Sequence, residues 1–341
     1  MTDFLPIARH ALSMALFWGI PIVAAVGLIA YFGLARLIAS KLLGRRVLRC
    51  TEEERPADRG FEQTAFEIQV PPFDAADGDT ETPKCRLDGW LIRPPDAGPD
   101  DRPPCVLMVH GFSSHKNCLW TFPDDPDYRA SLLHQGADSL CRAGFAVAAI
   151  DLRNHGQSDE NGPVTLGIRE SYDVLATLRY LRANADRFGI DGSHLGLRGE
   201  SMGGVTSLIA ASRDDSGLIA AVWCDSTFAD GHRVVGDFLN YANVWRGFAP
   251  ATRLWLKTLT GLDVNDASPV RYVEKIRCPV MLVHSTGDTM VPIEHFDQLA
   301  SAAWVNPPET WRLAGHRHNR LWKEPDYHQR QIEFFRQHLG A

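Results

Sequence analysis

A serine stands between two glycines in the segment Gly-Glu-Ser-Met-Gly, residues 199–203, where one apolar run ends and another begins. The run "HLGLRG" predicts a strand, and the residues after the serine predict a helix. Small residues two positions before and two after Ser201 let strand and helix approach closely, as a nucleophile on a tight turn requires. The new helix N-terminus would place the N–H of Met202 where negative charge develops. We therefore predict that Ser201 is a nucleophile, because a serine that only caps a helix would not require Gly199.

A serine hydroxyl needs a base to take its proton and a carboxylate to orient that base. If the acid and the histidine follow the serine in that order, Asp288 in "STGDTM" is the predicted acid. It follows an apolar strand, at the carboxyl end where ligands bind in open α/β sheets. Asp225, which ends the preceding predicted strand, is the alternative.

Two histidines follow the last predicted strand, and both are candidates for the general base. His316 comes directly after Gly315, so we expect it to be committed to backbone pairing. His318 lies further into the loop, from where its side chain can reach back over the sheet, and it is the predicted base. Of the other histidines, His284 ends a strand and is expected to be packed, whereas His295 opens a helix and is expected to face solvent.

A second donor for an oxyanion is predicted in "VLMVHGFSS", where a strand ends at His110 and Gly111. Gly111 allows a backbone turn that other residues resist, which would aim the N–H of Phe112 inward. The N–H groups of Phe112 and Met202 would then form an oxyanion hole. We expect His110 to be structural.

The elements that must hold these residues alternate along the chain. The predicted strands are 64–70, 85–94, 105–110, 145–151, 194–199, 218–225, 279–285 and 310–315, and the predicted helices are 128–143, 168–184, 202–212, 294–303 and 325–338. This alternation predicts an α/β fold with a mostly parallel central sheet and helices on both faces. The first two strands are expected to form an antiparallel pair at one edge.

Residues 228–268 interrupt the alternation and contain six aromatic residues within 28 positions. We predict a small helical insertion that covers the site as a lid, with Trp245 and Trp255 lining an acyl pocket. Simple packing of these rings against the body is the alternative.

The N-terminus is different in kind, because residues 11–35 contain no charge and are long enough to cross a bilayer as a helix. Membrane helices tolerate a proline such as Pro21. The basic residues that follow the run are Arg36, Lys41, Arg45, Arg46 and Arg49. Since only Arg9 precedes it, the positive-inside rule predicts a cytoplasmic catalytic domain. A signal peptide, cleaved after "GLA" and leading to secretion, is the alternative.

The predicted organisation is an N-terminal segment at 1–40, a polar linker at 41–60 and the folded domain at 61–341. A net charge of −7 without a basic domain argues against nucleic acid as a partner. The cysteines stand at positions 50, 85, 105, 118, 141, 224 and 278. Their odd number and the absence of a C-x-x-C pair argue against a disulfide framework or a zinc site and suit a reducing compartment.

Together these segments resemble the α/β-hydrolase superfamily over residues 61–341. The resemblance is nearest to serine-aminopeptidase-like and monoglyceride-lipase-like hydrolases and to membrane-anchored α/β-hydrolase-domain proteins. It rests on "HGFSS", "DLRNHGQSD", "GESMGG", "CPVMLVHSTGDTMVP" and "HRHN", in that order. It implies a Ser–Asp–His hydrolase, without a metal or organic cofactor, acting on an ester, thioester or amide. The family pattern places the base before Asn319, which favours His318, and makes the turn at 151–158 structural. Asn154 departs from the glycine usual there, which implies a modified turn.

The anchor and the aromatic insertion favour a small-molecule or lipid-like acyl substrate at a membrane. A peptidase is one alternative, in which Glu200 or acids of the insertion would bind a substrate amine. A non-catalytic scaffold on the same fold is another, and the complete Ser–Asp–His order argues against it.

Overall fold

Strands and helices alternate in the computed structural model, which describes residues 4–43, 50, 52–72, 84–122 and 125–340. The strands are β1 Glu52–Glu53, β2 Gln63–Val70, β3 Cys85–Ile92, β4 Pro104–Val109, β5 Cys118–Phe122, β6 Asp125–Ala130, β7 Ala146–Ile150, β8 Asp191–Glu200, β9 Ile219–Asp225, β10 Val280–Ser285 and β11 Glu309–Leu313. The α-helices are α1 Phe4–Leu42, α2 Asp138–Arg142, α3 Glu170–Ala183, α4 Ala185–Phe188, α5 Met202–Ser212, α6 Gly231–Tyr241, α7 Ala249–Thr260, α8 Glu294–Ala300 and α9 Tyr327–Leu339.

Eight of these strands form the central sheet in the order β11-β10-β9-β8-β4-β7-β3-β2. The first six strands of this order, from β11 to β7, pair in parallel. β3 and β2 continue the sheet as an antiparallel edge. Both faces are covered: Val106 packs into one apolar cluster and the adjacent Leu107 into another. A strand buried on both faces needs a continuous apolar run, which is the pattern of "CVLMV". The predicted α/β fold is confirmed.

A second, small sheet in the order β1-β5-β6 was not predicted. Because β6 occupies 125–130, the predicted helix 128–143 begins later, with a π-helical turn at Leu133–Ala137 followed by α2. The pairing of β5 with β6 is a tertiary contact between short segments, which periodicity in one segment does not reveal.

Part of the predicted polar linker is attached to the body. Cys50 forms a disulfide with Cys118, with a Cα–Cα distance of 5.6 Å, and β1 pairs with β5. The cysteine pattern argued against a disulfide framework, and this pair was not predicted. The partners are 68 residues apart in the chain, so their spacing carried no signal. Arg45, Arg46 and Arg49 lie outside the described residues, as do residues 73–83 between the first two predicted strands.

The interruption at 228–268 folds as a cap of helices. It contains α6 and α7, joined by a 3₁₀ turn at Arg246–Phe248 and followed by another at Val264–Ala267. Helix α1 extends beyond the predicted 11–35 at both ends, and its C-terminal part packs against α7. Within it, Ile20–Leu42 is long and apolar enough to cross a membrane, so α1 is a candidate anchor.

Candidate active site

Ser201 lies at the turn between β8 and α5, in a left-handed backbone conformation with φ +51°. This conformation is rare for a residue with a side chain, and the surrounding contacts hold it: the N–H of Ser201 donates to the carbonyl of Asp225 at 2.8 Å. A Cβ atom at position 199 would collide with the backbone of Gly203, and one at position 203 with that of Val109. Strand, turn and helix can thus approach closely only with glycine at both positions.

His318 lies between Ser201 and Asp288. Its Nε2 is 2.9 Å from the Oγ of Ser201, and its Nδ1 is 2.6 Å from the Oδ2 of Asp288. Nδ1 therefore donates to the carboxylate, and Nε2 is left to accept the serine proton. The structure brings these three predicted residues together from β8–α5, from the loop after β10 and from the loop after β11.

Asp288 is held in place on both of its oxygens. Its Oδ1 accepts the N–H groups of Met290 at 3.0 Å and Val291 at 2.9 Å, and Oδ2 faces His318. Burial works to raise the pKa of Asp288, but the charge and hydrogen bond of His318 outweigh it and lower the pKa. The carboxyl is thus maintained as the anion that a histidinium needs beside it.

Asp225, the alternative acid, belongs to a different buried network beneath the serine. It pairs with Arg198 at 2.5 Å, and it also accepts hydrogen bonds from Trp223 and Tyr327. Arg198 in turn lies 3.5 Å from Glu200. Arg198 was not predicted as a residue of the site, although a charged residue inside an apolar strand was the available signal.

The remaining histidines of interest have other partners. The Nε2 of His316 contacts Glu324 at 2.9 Å, and His284 is packed beneath Asp288 and donates to the carbonyl of Val291. The expectation that His295 faces solvent is wrong, because it is fully buried. Its Nε2 contacts Asp237 at 3.0 Å, an interaction that joins α8 to the cap and that sequence position alone could not predict.

The loop after β4 carries one of the two predicted oxyanion donors, the N–H of Phe112. Gly111 lies against Glu200 and Ser201, and Phe112 follows it along the wall of the cleft. Among the described residues, the N–H groups of Phe112 and Met202 have no protein acceptor. Burial lowers the pKa of His110 to about 3, and this neutral ring holds the loop, donating to the carbonyl of Gly111 at 2.8 Å.

The turn at 151–158 supports this loop. Asp151 accepts hydrogen bonds from the backbone and side chain of Lys116 at 2.7 Å, and Arg153 forms a buried pair with Asp173. Asn154 adopts φ +65°, a region that asparagine tolerates better than other non-glycine residues. Asparagine at this position therefore adopts the backbone conformation that the usual glycine would adopt.

A cleft of about 560 Å³ opens above Ser201, within the size range of small-molecule sites. One part of its wall is apolar, formed by Leu42, Phe112, Phe238, Tyr241, Ala242 and Met290. Another part is polar and includes Ser113, Ser114, Gln135, Glu200, Arg317, Asn319 and Arg320. The presence of Leu42 was not predicted, because only the packing of α1 on the cap brings it to the cleft.

The sequence left open whether the aromatic residues of the cap line the cleft or only pack against other parts of the protein, and the structure shows both. Phe238 and Tyr241 line the cleft. Trp255 instead packs against α1, and the expected pocket residue Trp245 is 70% exposed. The expectation that Trp245 and Trp255 line the cleft is therefore wrong, since Trp245 lies on the surface and Trp255 lies against α1.

Among the described residues, one group of three potential metal ligands comes together: Cys50, His115 and Cys118. The two sulfur atoms are joined in the disulfide and are not thiolate ligands in this state. The group lies outside the walls of the cleft.

Comparison with protein families matches residues 133–341 to the prolyl oligopeptidase family. The chain belongs to this family. The matched part includes Ser201, Asp288 and His318, and membership makes the protein a serine hydrolase. The uncharacterized protein YqkD of Bacillus subtilis (strain 168) is 27% identical over 214 residues, which span 62% of this chain and 64% of that relative.

Solved structures share the fold. An esterase of Pyrococcus furiosus, Pf2001, aligns with a TM-score of 0.61 and 20% identity, over 86% of this chain and 97% of its own. The acylaminoacyl peptidase of Pyrococcus horikoshii aligns with a TM-score of 0.53 and 17% identity, over 82% of this chain and 42% of its own. The predicted resemblance to the α/β-hydrolase superfamily is confirmed.

Proposed function

We propose that this serine hydrolase is a membrane-anchored carboxylic-ester hydrolase for acyl substrates, with Ser201, His318 and Asp288 as its catalytic triad. The observation that carries the proposal is the continuous chain of contacts from Oγ through the imidazole to the buried carboxylate, at the floor of a cleft with an apolar wall.

In the proposed reaction, the Oγ of Ser201 attacks the carbonyl carbon while Nε2 of His318 takes its proton. The N–H groups of Phe112 and Met202 bind the oxyanion of the tetrahedral intermediate. His318 then protonates the leaving alcohol or thiol, and an acyl-enzyme forms. A water molecule, deprotonated by the same imidazole, releases the acyl group and restores the serine. Asp288 stabilises the imidazolium in both halves of the reaction.

An ester or thioester is favoured over a peptide by the cap. A peptidase that recognises a free N-terminus needs a negative charge for the substrate amine, and the acids of the cap have partners of their own. Asp237 is bonded to His295 and Arg246, and Asp263 is paired with Lys257. Apolar side chains of the cap instead line the cleft, which suits an acyl chain.

A peptidase is the second candidate, and Glu200 is the observation in its favour, because this carboxyl lies beside the nucleophile and lines the cleft. Burial raises the pKa of Glu200, although the attraction of Arg198 opposes this effect. A carboxyl in this environment is a weak counter-ion for an amine.

Labelling with a fluorophosphonate probe tests the hydrolase mechanism, with Ser201→Ala as the control that must abolish the label. A panel of acyl esters, thioesters and aminoacyl amides then separates the two candidates. Faster turnover of amides with a free amine, lost in Glu200→Gln, would establish the peptidase. A folded wild-type protein that neither labels nor turns over would instead be a scaffold.

The candidate anchor α1 supports a position of the domain at a membrane, and two observations differ on the side. The basic residues after the apolar run favour the cytoplasm, whereas the disulfide between Cys50 and Cys118 favours an oxidising compartment. An impermeant maleimide, applied to intact cells after an impermeant reductant, separates them. Modification of Cys50 would place the domain outside, and modification only after lysis would place it in the cytoplasm. A mature N-terminus near residue 36 would reveal a cleaved signal.

A further inference from the structure

Helix α1 changes its surroundings at Tyr31. Every residue from 20 to 30 is exposed, whereas a stripe of less exposed positions follows at 31, 32, 35, 38, 39 and 42. This spacing is that of one face of an α-helix. The last third of α1 is therefore docked on the body, and residues 20–30 project away from it.

Specific contacts hold the docked part against the cap. The hydroxyl of Tyr31 donates to the carbonyl of Gly247 at 2.7 Å, and its ring stacks on Phe248. The indole N–H of Trp255 donates to the carbonyl of Phe32 at 2.9 Å. Two hydrogen bonds to backbone carbonyls fix both the position and the rotation of α1 relative to α7.

The length of the projecting part matches a bilayer. Residues 10–30 contain no charge and follow Arg9. At 1.5 Å per residue, this helical segment is about 32 Å long, close to the ~30 Å of a hydrocarbon core. The bilayer would then end where docking begins, and the cap would lie directly at the membrane surface.

The cap carries a surface suited to that place. Trp245, Leu254 and Leu259 are 70%, 54% and 42% exposed, and Trp245 packs against Phe248, the ring that stacks on Tyr31. Helix α7 contains two basic residues and no acidic one. Exposed tryptophan and leucine beside basic residues are typical of helices that lie in the interface of a membrane.

Anchor and cap both contribute to the cleft. Leu42 at the end of α1 and Tyr241 at the end of α6 both line it, so its wall combines the anchor with the cap. We propose that the surface formed by Trp245, Leu254 and Leu259 rests on the lipid bilayer, and that a membrane-resident acyl lipid enters the cleft past Leu42, along the apolar contact between the docked part of α1 and the cap. The choice of substrate rests on the proposed esterase function, and the docking on the bilayer does not.

The position of the cap is tested with the full chain in phosphatidylcholine–phosphatidylglycerol vesicles. An environment-sensitive fluorophore is attached to Leu254→Cys and, as the matched control, to Ser216→Cys, which lies in the exposed loop before β9, at the end of the sheet opposite the active site. We expect lipid-borne quenchers to reduce the emission at position 254 and not at position 216. Equal quenching at both positions, or none at position 254, would overturn the docking.

Lipid access is tested with a double variant that combines Trp245→Asp and Leu254→Asp. Val305→Asp serves as the control, because Val305 is an exposed apolar residue in the loop before β11. We expect about a tenfold loss of turnover for an acyl ester embedded in the vesicles, since two apolar contacts with lipid are lost. Turnover of a water-soluble acetate ester should be unchanged. Equal losses for both esters, or no loss, would overturn the proposal. If wild type hydrolyses neither ester, the esterase function fails, and the fluorophore result still decides the docking.

Discussion

The turn at Ser201 and the cap above it are built in different ways. Backbone atoms and buried charges confine the turn. Neighbouring backbone atoms leave no space for a side chain at positions 199 and 203, and the ion pair of Arg198 with Asp225 lies beneath the turn. The cap is held by apolar contacts with α1 and with the body, and it keeps large apolar side chains exposed. The reacting groups therefore depend on the body, whereas the shape of the cleft depends on the cap and on the anchor together.

This contrast predicts that changes in the body abolish the reaction or the fold, whereas changes in the cap alter the choice of substrate. The largest expected effect is at the triad. His318→Ala should reduce turnover by about 10³-fold or more, with little further loss when Ser201 is also replaced, because triad members act as a unit. His316→Ala is the matched control and should retain most activity, since His316 contacts Glu324. Steady-state kinetics with a soluble ester measures both. If His316→Ala were inactive and His318→Ala active, the assignment of the base would be wrong.

The second effect concerns the fold. Asp225→Asn should lower the free energy of unfolding by about 3 kcal/mol, because it leaves the buried Arg198 without its nearest counter-charge. Denaturant titration measures this change. Asp263→Asn, which breaks an exposed pair with Lys257, is the control and should cost less than about 1 kcal/mol. A stable Asp225→Asn protein that has lost turnover while Asp288→Asn remains active would return Asp225 to the role of the acid.

A smaller effect is expected in the cleft wall. Replacing Phe238 or Tyr241 with alanine should lower kcat/KM for long-chain esters about tenfold, since each ring removes apolar surface from water around an acyl chain. Acetate esters should be affected little. Tyr172→Ala is the control, because this half-exposed tyrosine lies on α3 of the body. Equal losses for short and long chains would show that the two rings only pack the cap.

The smallest effect is a pH dependence in the segment that joins the anchor to the body. Burial works to raise the pKa of Glu54, but hydrogen bonds from His134 and Ser131 outweigh it and lower the pKa to about 2. Since the pKa is lowered on folding, this contribution to stability is complete above the ordinary value of 4.5 and is lost as the pH falls toward 2. Thermal unfolding of wild type and Glu54→Gln is compared at pH 7 and at pH 3. The free energy of unfolding of the two proteins should differ by less than about 1 kcal/mol at pH 7, and by less again at pH 3. A difference that grows in acid would contradict this account.

The sequence by itself determined the fold class and predicted the position of the nucleophile. Apolar runs separated by helix-length segments require a parallel sheet covered on both faces, and this requirement does not depend on which segments meet. Gly199 and Gly203 identify the turn at Ser201 because a close backbone approach excludes any side chain there. Chain order and loop position also predicted Asp288 and His318, whose catalytic roles stay predictions until the kinetics are measured.

Only the tertiary structure decided which distant segments of the chain contact one another. The disulfide of Cys50 with Cys118, the burial of His295 and the place of Leu42 in the cleft join residues that are far apart in the chain. Such contacts depend on how whole helices pack, and a pattern of apolar residues specifies a face without specifying its partner. The same apolar pattern in α1 serves a membrane span before Tyr31 in our proposal and a protein interface after it. Hydropathy cannot separate these two uses, because lipid and a packed cap both remove apolar side chains from water.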